Sequence, residues 1–240
     1  MRKVLKIAIR EIKEYISSPV AYIILGVFTL ICGAYFSRYV FVDNQASLRK
    51  LFEFIPLIWV VFIPALTMKS FSEELKTGTF EVLMTFPLNK NHIIFGKYLV
   101  NIILIVLMLG LTIPSFFTIS YLGSPDFGQI IAAYFGLLLL GSVYIFIGMS
   151  ISIRTKNQIV AYILSAFVIL ILYGIGEEQV LNIVPVRFRE YFEMLGLGSH
   201  YRSIARGVID SRDIIYYFTV LLMGYLFTYI SFNRIQNKGK

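Results

Sequence analysis

Charged residues are scarce in this chain. Of its 240 residues only 15% are charged, whereas 58% are hydrophobic. A soluble domain usually carries about 25% charged residues, so this composition excludes an ordinary soluble globular protein. Acidic residues are scarcer than basic ones, because 14 aspartates and glutamates stand against 22 lysines and arginines, which gives a net charge of +8. The composition therefore predicts an integral membrane protein with an excess of positive charge.

Cysteine and histidine are nearly absent, with one cysteine, Cys32, and two histidines, His92 and His200. A single cysteine excludes a disulfide framework and a cysteine-based metal site. The histidines lie far apart in the sequence, one at the start of an apolar run and one in a distant polar segment. We do not expect them to share a metal ion, and we predict no metal site on this chain.

Catalytic motifs are also missing, since the sequence contains no zinc-protease motif, no nucleophile elbow and no phosphate-binding loop. The adjacent acids Glu177 and Glu178 could suggest general acid–base chemistry. Neighbouring residues do not face one another on a helix, so we interpret this pair as the solvated start of a loop, with an acid–base pair as the alternative. The sequence predicts no catalytic residue.

What the chain does contain is long apolar runs. Six of them approach or exceed the roughly 17–25 residues that a helix needs to cross a bilayer. They are Val20–Val42, Phe54–Phe71, Leu99–Leu122, Ile130–Ile153, Ile159–Ile175 and Ile214–Phe232. The sequence therefore predicts an all-α integral membrane fold, with six transmembrane helices in a domain that covers residues 20–240.

None of these six runs contains an aspartate or a glutamate. Ion-coupled carriers and proton pumps keep ionisable residues within the bilayer, where they bind the coupling ion. The two cations of the runs, Arg38 and Lys69, lie near the run ends, from where long side chains can reach the membrane surface. We therefore expect that any uphill transport takes its energy from another polypeptide.

Positive charge is distributed unevenly among the segments that connect the runs. The turn at 123–128 contains no lysine or arginine, whereas the turn Arg154–Lys156 contains two in three residues. Loops rich in lysine and arginine stay on the cytoplasmic side, which predicts that both termini are cytoplasmic. Membrane topology thus accounts for the basic net charge, and we expect the lipid bilayer, and no nucleic acid, as a partner.

Residues 1–19 have the periodicity of an amphipathic helix, with aliphatic residues on one arc and lysine and arginine on the opposite arc. The sequence Ser17-Ser18-Pro19 predicts a break before the first apolar run. A basic amphipathic helix joined directly to a span is expected to lie in the membrane interface. A cytosolic targeting tail is the alternative.

A second polar segment, Gly176–Asp213, lies between the fifth and sixth runs on the predicted outer side. Helical spacing of apolar residues predicts two short helices in it, Val186–Leu195 and His200–Ile209, separated by a turn at Gly196-Leu197-Gly198. Two helices lying at, or dipping into, the outer leaflet fit this pattern. A small folded extracytoplasmic cap fits it equally well.

The longest polar stretch of the first half, Ser70–Lys97, separates the second and third runs on the predicted cytoplasmic side. We expect it to extend the second span, with Glu73 and Lys76 at the i, i+3 spacing of an ion pair. Gly78 predicts a break, because glycine tolerates the left-handed conformation. Thr79 is a suitable cap for the element that follows.

That next element is predicted to be a short helix whose apolar face carries Phe80, Leu83 and Met84. Pro87 is expected to end it. A short helix held below the bilayer by two spans, with an apolar face towards the cytosol, is suited to insertion into a groove of another protein. A helix that rests on lipid headgroups is the alternative.

The same residues resemble the permease subunits of ATP-binding-cassette (ABC) exporters of the type-two membrane class. Members of that family have an acidic–basic pair, Gly-Thr, an aliphatic or aromatic residue, Glu, a leucine-rich triplet, a proline, and Gly-Lys or Ala-Lys at the start of the third span. In this sequence the corresponding residues are Glu74 with Lys76, Gly78-Thr79-Phe80-Glu81, Val82-Leu83-Met84, Pro87 and Gly96-Lys97.

The resemblance covers nearly the whole chain and implies a permease subunit that works as a homodimer or heterodimer in a bacterial inner membrane. It implies two separate ATPase subunits that bind ATP and Mg²⁺, so that no cofactor is expected on this chain. It also implies that residues 72–88 hold the coupling helix, that residues 1–19 form the interfacial elbow helix, and that the outer segment carries two re-entrant helices.

The resemblance further implies which residues contact the ATPase. These are Glu73, Glu74, Lys76, Gly78, Thr79, Phe80, Glu81, Leu83, Met84 and Pro87. Lys97 is expected to anchor the third span at the inner interface.

The segment Ala205–Asp210 is similar to the branch that contains gliding-motility and copper-centre-maturation permeases. The chain has no sizeable extracytoplasmic domain and no aromatic carbohydrate track, which argues against polysaccharide export and leaves the substrate open. Two other functions are compatible with the residues themselves: a channel lined by Ser, Thr and backbone, and a membrane anchor or assembly scaffold without transport.

Overall fold

The computed structural model describes residues 2–42, 47–81, 89–123 and 125–238, and these residues form helices and no β-strand. The twelve helices of the described residues are α1 (Arg2–Ser17), α2 (Pro19–Phe41), α3 (Arg49–Thr67), α4 (Lys69–Thr77), α5 (Lys90–Gly110), α6 (Ile113–Leu122), α7 (Phe127–Ser152), α8 (Gln158–Gly174), α9 (Glu178–Leu181), α10 (Val186–Leu195), α11 (Leu197–Ala205) and α12 (Ser211–Lys238).

Five helical segments are long and apolar enough to cross a membrane, and they correspond to α2, α3 with α4, α5 with α6, α7 and α12. The sixth apolar helix, α8, has 17 residues, which is the lower limit of about 17 for a spanning helix. Each predicted apolar run thus corresponds to one helix or to two consecutive helices, and the predicted all-α integral membrane fold is confirmed.

Two spans extend further than the apolar runs. α3 begins at Arg49 rather than Phe54, because its first turn is stabilised by ion pairs of Glu53 with Arg49 and Lys50 at 3.1 Å each. The third span begins at Lys90 rather than Leu99, so that Lys97 lies two turns inside the helix. The charged residues next to these two apolar runs therefore belong to the helices.

The core of the bundle lies between α3 and α7, whose residues are mostly buried. Gly141 and Gly148 lie two turns apart on α7 and permit the close approach of its neighbours. A Cβ atom at Gly148 would lie 2.0 Å from Thr67 Oγ1, and one at Gly141 would lie 2.9 Å from the ring of Trp59. By contrast few residues of α2 and α12 are buried, and many of their apolar side chains are exposed, which is the pattern of helices that face lipid.

The N-terminal helix α1 packs on α5 as well as presenting an apolar face outwards. Ala8 is buried in the contact with the bundle, while Leu5, Ile9 and Ile16 are exposed. The single apolar arc seen in the sequence is therefore divided between the bundle and the surroundings. Pro19 begins α2 at a position where its missing N–H costs no helical hydrogen bond.

Short helices cover the end of the bundle at which α8 ends and α12 begins. The predicted helix Val186–Leu195 is confirmed as α10, whereas the second predicted helix begins and ends earlier, at Leu197–Ala205 rather than His200–Ile209. It ends before Gly207, whose φ of 93° lies in the left-handed region. α11 is buried against α3, α7 and α8, whereas α10 has no buried residue.

Candidate functional site

The predicted polar stretch lies at the end of the bundle where α1, α4, the first turns of α5 and the last turns of α7 and α12 meet. We call this the Lys97 end, and the opposite end, formed by α9, α10, α11 and the start of α12, the His200 end. Contacts at the Lys97 end join residues that are more than 80 positions apart in the sequence, such as Glu11 with Lys97 and Phe71 with Ser152.

The direction of α4 is set by α7 through one serine hydroxyl. Ser152 Oγ accepts hydrogen bonds from the backbone N–H groups of Phe71 and Ser72 at 3.1 Å each, and donates one to the carbonyl of Met68 at 2.9 Å. Ser152 is fully buried, so these bonds are shielded from water. They hold α4 as an extension of α3 beyond the junction at Met68.

The predicted break at Gly78 is confirmed, since Gly78 ends α4 with φ 76° and ψ −2° in the left-handed region. Residues 79–81 are helical again. The Thr79 hydroxyl lies 2.8 Å from that of Thr77, and Glu81 N donates to the carbonyl of Gly78 at 3.3 Å. The chain therefore leaves the axis of α4 at Gly78 and starts a new helical turn.

Phe80 differs from the expected arrangement, in which it formed an exposed apolar face with Leu83 and Met84. Its ring is buried, with its centroid 6.5 Å from that of Phe71 and 5.2 Å from that of Phe232. An aromatic side chain of this size gains more from the interior than from the surface, so Phe80 anchors the new turn to α12. Leu83 and Met84, with Pro87, lie outside the described residues.

Lys97 is the most deeply buried charged side chain of this end. It is 3% exposed, and its Nζ lies 2.7 Å from Glu11 Oε1 and 2.9 Å from Glu74 Oε1. We call Glu11, Lys97 and Glu74 the Lys97 triad. The ammonium also lies 5.3 Å from the ring centroid of Phe71, within the range of a cation–π contact. The triad joins α1, α4 and α5 through one cation.

Glu74 was expected to face a partner, but its carboxylate is bound to Lys97 within the chain. Glu11 was not among the predicted site residues. It follows Ile7 by one helical turn, and Ile7 packs on Gly96 beside Lys97. A lone lysine inside an apolar helix, together with an acid on the edge of an amphipathic helix, is the sequence signal for this contact.

Polar side chains at the tip of α4 remain exposed, among them Glu73, Lys76, Thr79 and Glu81. The predicted ion pair of Glu73 with Lys76 does not form in the described part of the chain, where both side chains are exposed. The tip of α4 therefore presents a mixed-charge polar surface, next to the turn at Gly78, that is available to another molecule.

Two further hydrogen bonds join neighbouring helices beside the triad. The Tyr15 hydroxyl donates to the carbonyl of Leu66 at 2.5 Å, and Asn101 Nδ2 lies 3.3 Å from Ser70 Oγ. Burial raises the pKa of the Tyr15 phenol well above its ordinary value, so Tyr15 stays a hydrogen-bond donor. α1 is thus bonded to α3, and α5 to α4, beside the triad.

A cavity of about 270 Å³ lies next to the triad, between α1, α2 and the α3–α4 segment. Its charged walls are Glu11, Glu14, Lys69, Glu73, Glu74 and Lys97. One carboxylate oxygen, Glu74 Oε2, is buried and has no hydrogen-bond partner among the described residues. The triad therefore borders a polar space into which a carboxylate can move.

The His200 end has ion pairs of its own. Glu177, expected in a solvated loop, pairs with Arg202 at 2.8 Å, and His200 Nδ1 lies 2.7 Å from Asp213 Oδ1. The His200 ring also stacks on Tyr216 with centroids 3.8 Å apart. These contacts fix α11 to the segment after α8 and to the start of α12, and sequence spacing gave no sign of them.

The comparison with known families decides what this architecture is. Residues 5–232 match the family described as ABC-2 family transporter protein. The chain belongs to the ABC-2 transporter family. No curated protein matches the chain with significance.

Members of the ABC-2 family are membrane transport subunits of ABC transporters and are not themselves catalytic. They generally work with an ATPase subunit. As an ABC-2 permease, the chain is a multi-pass membrane protein. The tip of α4, which includes Glu74 of the triad, falls within residues 72–88, the range that the resemblance implied for the coupling helix.

Proposed function

We propose that this ABC-2 permease is the membrane subunit of an ATP-driven exporter, and that a separate ATPase docks at the Lys97 end through the segment from α4 to α5. The family match over residues 5–232 carries the proposal.

The geometry of the Lys97 end supports docking there. α4 extends the second span, Ser152 fixes its direction, and the left-handed Gly78 turns the chain sideways into a new helical turn. Polar residues around this turn, including Glu73, Lys76 and Glu81, are exposed. A rigid extension with an exposed polar tip is suited to receive a displacement from another protein and to pass it to the spans.

We infer that ATP and Mg²⁺ bind on the partner ATPase, and that a second permease subunit, identical or different, completes the transporter. The apolar faces of α2 and α12 are exposed and offer surfaces for that subunit and for lipid. ATP binding and hydrolysis would then rock the two permease halves between inward-facing and outward-facing states.

We also propose that the chain belongs to the branch with gliding-motility and copper-centre-maturation permeases, on the segment Ala205–Asp210. In this segment α11 ends at Ala205, Gly207 is left-handed, and the Asp210 carboxylate accepts a hydrogen bond from Arg212 N at 2.9 Å at the start of α12. The segment therefore forms a defined turn, with an acid that caps the start of α12. This supports its use as a structural signature of the branch.

We propose a bacterial inner membrane as the location, with both termini in the cytoplasm. The single cysteine, Cys32, is buried, so a Cys32→Ala chain provides a background for accessibility measurements. Thr77→Cys at the Lys97 end and Glu190→Cys on α10 should react with a membrane-impermeant thiol reagent from opposite sides. Labelling of Glu190→Cys from the cytoplasmic side would contradict this topology.

Co-purification tests ATPase docking. The tagged chain, extracted in mild detergent from its native membranes, should retain an ABC ATPase with ATP turnover. Leu83→Arg should release that ATPase while the spans stay folded, because a charge would replace the apolar face that enters the partner's groove. Leu195→Arg, at an exposed position of α10, is the matched control and should retain it. A Leu83→Arg chain that keeps its ATPase would argue strongly against docking at this segment.

A further inference from the structure

The two ion pairs of the Lys97 triad lie in different packing environments. Glu11 and Lys97 belong to α1 and α5, which are in backbone-close contact: a Cβ atom at Gly96 would lie 2.7 Å from Ile7 Cγ2 and 3.5 Å from the carbonyl oxygen of Val4. Lys97 follows Gly96 directly. The 2.7 Å bond from Lys97 to Glu11 therefore lies inside a tight contact between two helices.

The bond to Glu74 joins different parts of the bundle. α4 packs on α7 and α8, and the Ser152 hydroxyl and the contact of Phe71 with Phe232 hold it there. Between α4 and α5 the side-chain bonds are Lys97 with Glu74 at 2.9 Å and the longer Asn101–Ser70 bond at 3.3 Å. Because α5 also packs on α7, the Lys97–Glu74 pair is a local bond that fixes α4 to α5 and, through Glu11, to α1.

The Glu74 carboxylate is incompletely satisfied in its present position. Its Oε2 is buried and has no hydrogen-bond partner among the described residues, and a buried polar atom without a partner loses its hydration without replacement. The adjacent cavity of about 270 Å³ is lined by Glu74 itself and is large enough for water. Besides its present place on Lys97, the carboxylate therefore has an adjacent polar space to move into.

We propose that Lys97 is a positioning residue with a permanent bond to Glu11 and a releasable bond to Glu74, and that release of Glu74 sets the position of α4 relative to α1 and α5 during the ATPase cycle. The inference rests on the proposed ATPase docking at the tip of α4. A packed bundle responds to a small displacement by switching between discrete arrangements, and the two positions of the Glu74 carboxylate supply such a pair.

The distance between α1 and α4 reports the switch directly. Spin labels at Lys13→Cys and Thr77→Cys, both exposed positions, are introduced into the Cys32→Ala chain. The full complex with its ATPase is then placed in lipid vesicles, and pulsed electron spin resonance measures the distance distribution with and without a non-hydrolysable ATP analogue. In the otherwise unchanged chain the analogue should shift the population from a shorter to a longer distance.

Three variants separate a switch from a merely structural ion pair. Glu74→Gln should already favour the longer distance without nucleotide, by roughly tenfold in population ratio, which is within the range of about 5–150-fold for coupling between sites. Glu74→Asp, which keeps the charge but is one methylene shorter, should do the same. Glu11→Gln should leave the ratio unchanged and instead lower the thermal stability of the chain.

The inference is overturned if Glu74→Gln and Glu74→Asp keep the unmodified ratio, if Glu11→Gln shifts it as much as Glu74→Gln does, or if the analogue moves nothing in the unmodified chain. ATPase retention is measured first in every sample. Loss of the ATPase from the unmodified complex would remove the proposed function, and the inference with it. If the ATPase is retained but the Glu74 variants do not change the distance distribution, the inference is overturned and the proposed function stands.

Discussion

Both ends of the bundle contain ion pairs, but the two ends differ in their most tightly buried contact. At the Lys97 end a single buried cation, Lys97, joins three helices through two carboxylates. At the His200 end the backbone itself comes into contact, since a Cβ atom at Gly196 would lie 2.3 Å from Gly176 Cα. Tyr201 and Tyr217 add hydrogen bonds to the carbonyls of Phe52 and Leu197, at 2.9 Å each.

This difference indicates which end can change its arrangement during a transport cycle. A side-chain ion pair has an alternative partner in water and can break and form again, whereas backbone packing through glycine has no second arrangement at the same separation. The Lys97 end is therefore suited to change during a transport cycle, and the His200 end to keep α11 fixed on the bundle. Substitutions at matched positions can break or sharpen this contrast.

The largest effect is expected from removing the buried cation. Lys97→Met leaves two buried carboxylates facing each other, and breaking a buried ion pair from one side costs about 3–5 kcal/mol. The same change at the other end, Arg202→Met, breaks a pair whose side chains are about a quarter exposed, and should cost only about 1 kcal/mol. Denaturant titration in detergent micelles measures both free energies of unfolding.

If Lys97→Met and Arg202→Met lowered the free energy of unfolding equally, the buried pairs of the Lys97 end would contribute no more to stability than the partly exposed pair of the His200 end. That result would contradict the contrast between the two ends. Adding Glu11→Gln and Glu74→Gln to Lys97→Met serves as a control. The neutral triad should recover most of the lost stability, because it removes the repulsion between the two uncompensated carboxylates.

An intermediate effect is expected from glycine at the His200 end. Gly196→Ala forces a methyl group against the backbone of Gly176 and should cost about 1–3 kcal/mol. Gly174→Ala, two residues before Gly176, is the control, since its Cβ would meet no atom within 4 Å. Thermal unfolding of the two variants gives the comparison, and a Gly196→Ala chain as stable as Gly174→Ala would show that the close contact does not support this end.

The smallest effect is expected from one hydrogen bond. Tyr201→Phe removes the donor to the Phe52 carbonyl and leaves the buried ring in place, so the loss should be about 1 kcal/mol. Tyr191→Phe, at an exposed position of α10, should change nothing measurable. If the two variants lower the midpoint of thermal unfolding equally, the Tyr201 bond does not contribute to holding α11.

Local features of the fold follow from the sequence where local physics determines them. The apolar runs predicted the spans. Pro185 precedes the amphipathic helix α10 and Gly196 follows it. Gly78 predicted the left-handed end of α4. In each case the residues that determine the structure lie within a few positions of it.

Other features depend on contacts between distant residues. The Lys97 triad requires α1 to fold back onto α5, which brings Glu11 beside a lysine 86 positions away. α11 begins earlier than predicted, because Gly196 and Gly198 serve close packing on Gly176 and Glu177 instead of forming a turn. Phe80 is buried because Phe232, at the far end of the chain, covers it. A local pattern can mark a residue such as Lys97 as unusual, but it does not specify which distant residue it meets.

Photo-crosslinking from the two ends tests the central claim, that the ATPase docks at the Lys97 end, most directly. A photoreactive residue replaces either Glu81, beside Phe80 at the Lys97 end, or Arg187 on α10 at the His200 end; both positions are exposed. After illumination in native membranes, we expect the Glu81 position to crosslink to an ABC ATPase and the Arg187 position not to. An ATPase crosslinked from Arg187, or from neither position while it still co-purifies with the chain, would contradict docking at the Lys97 end.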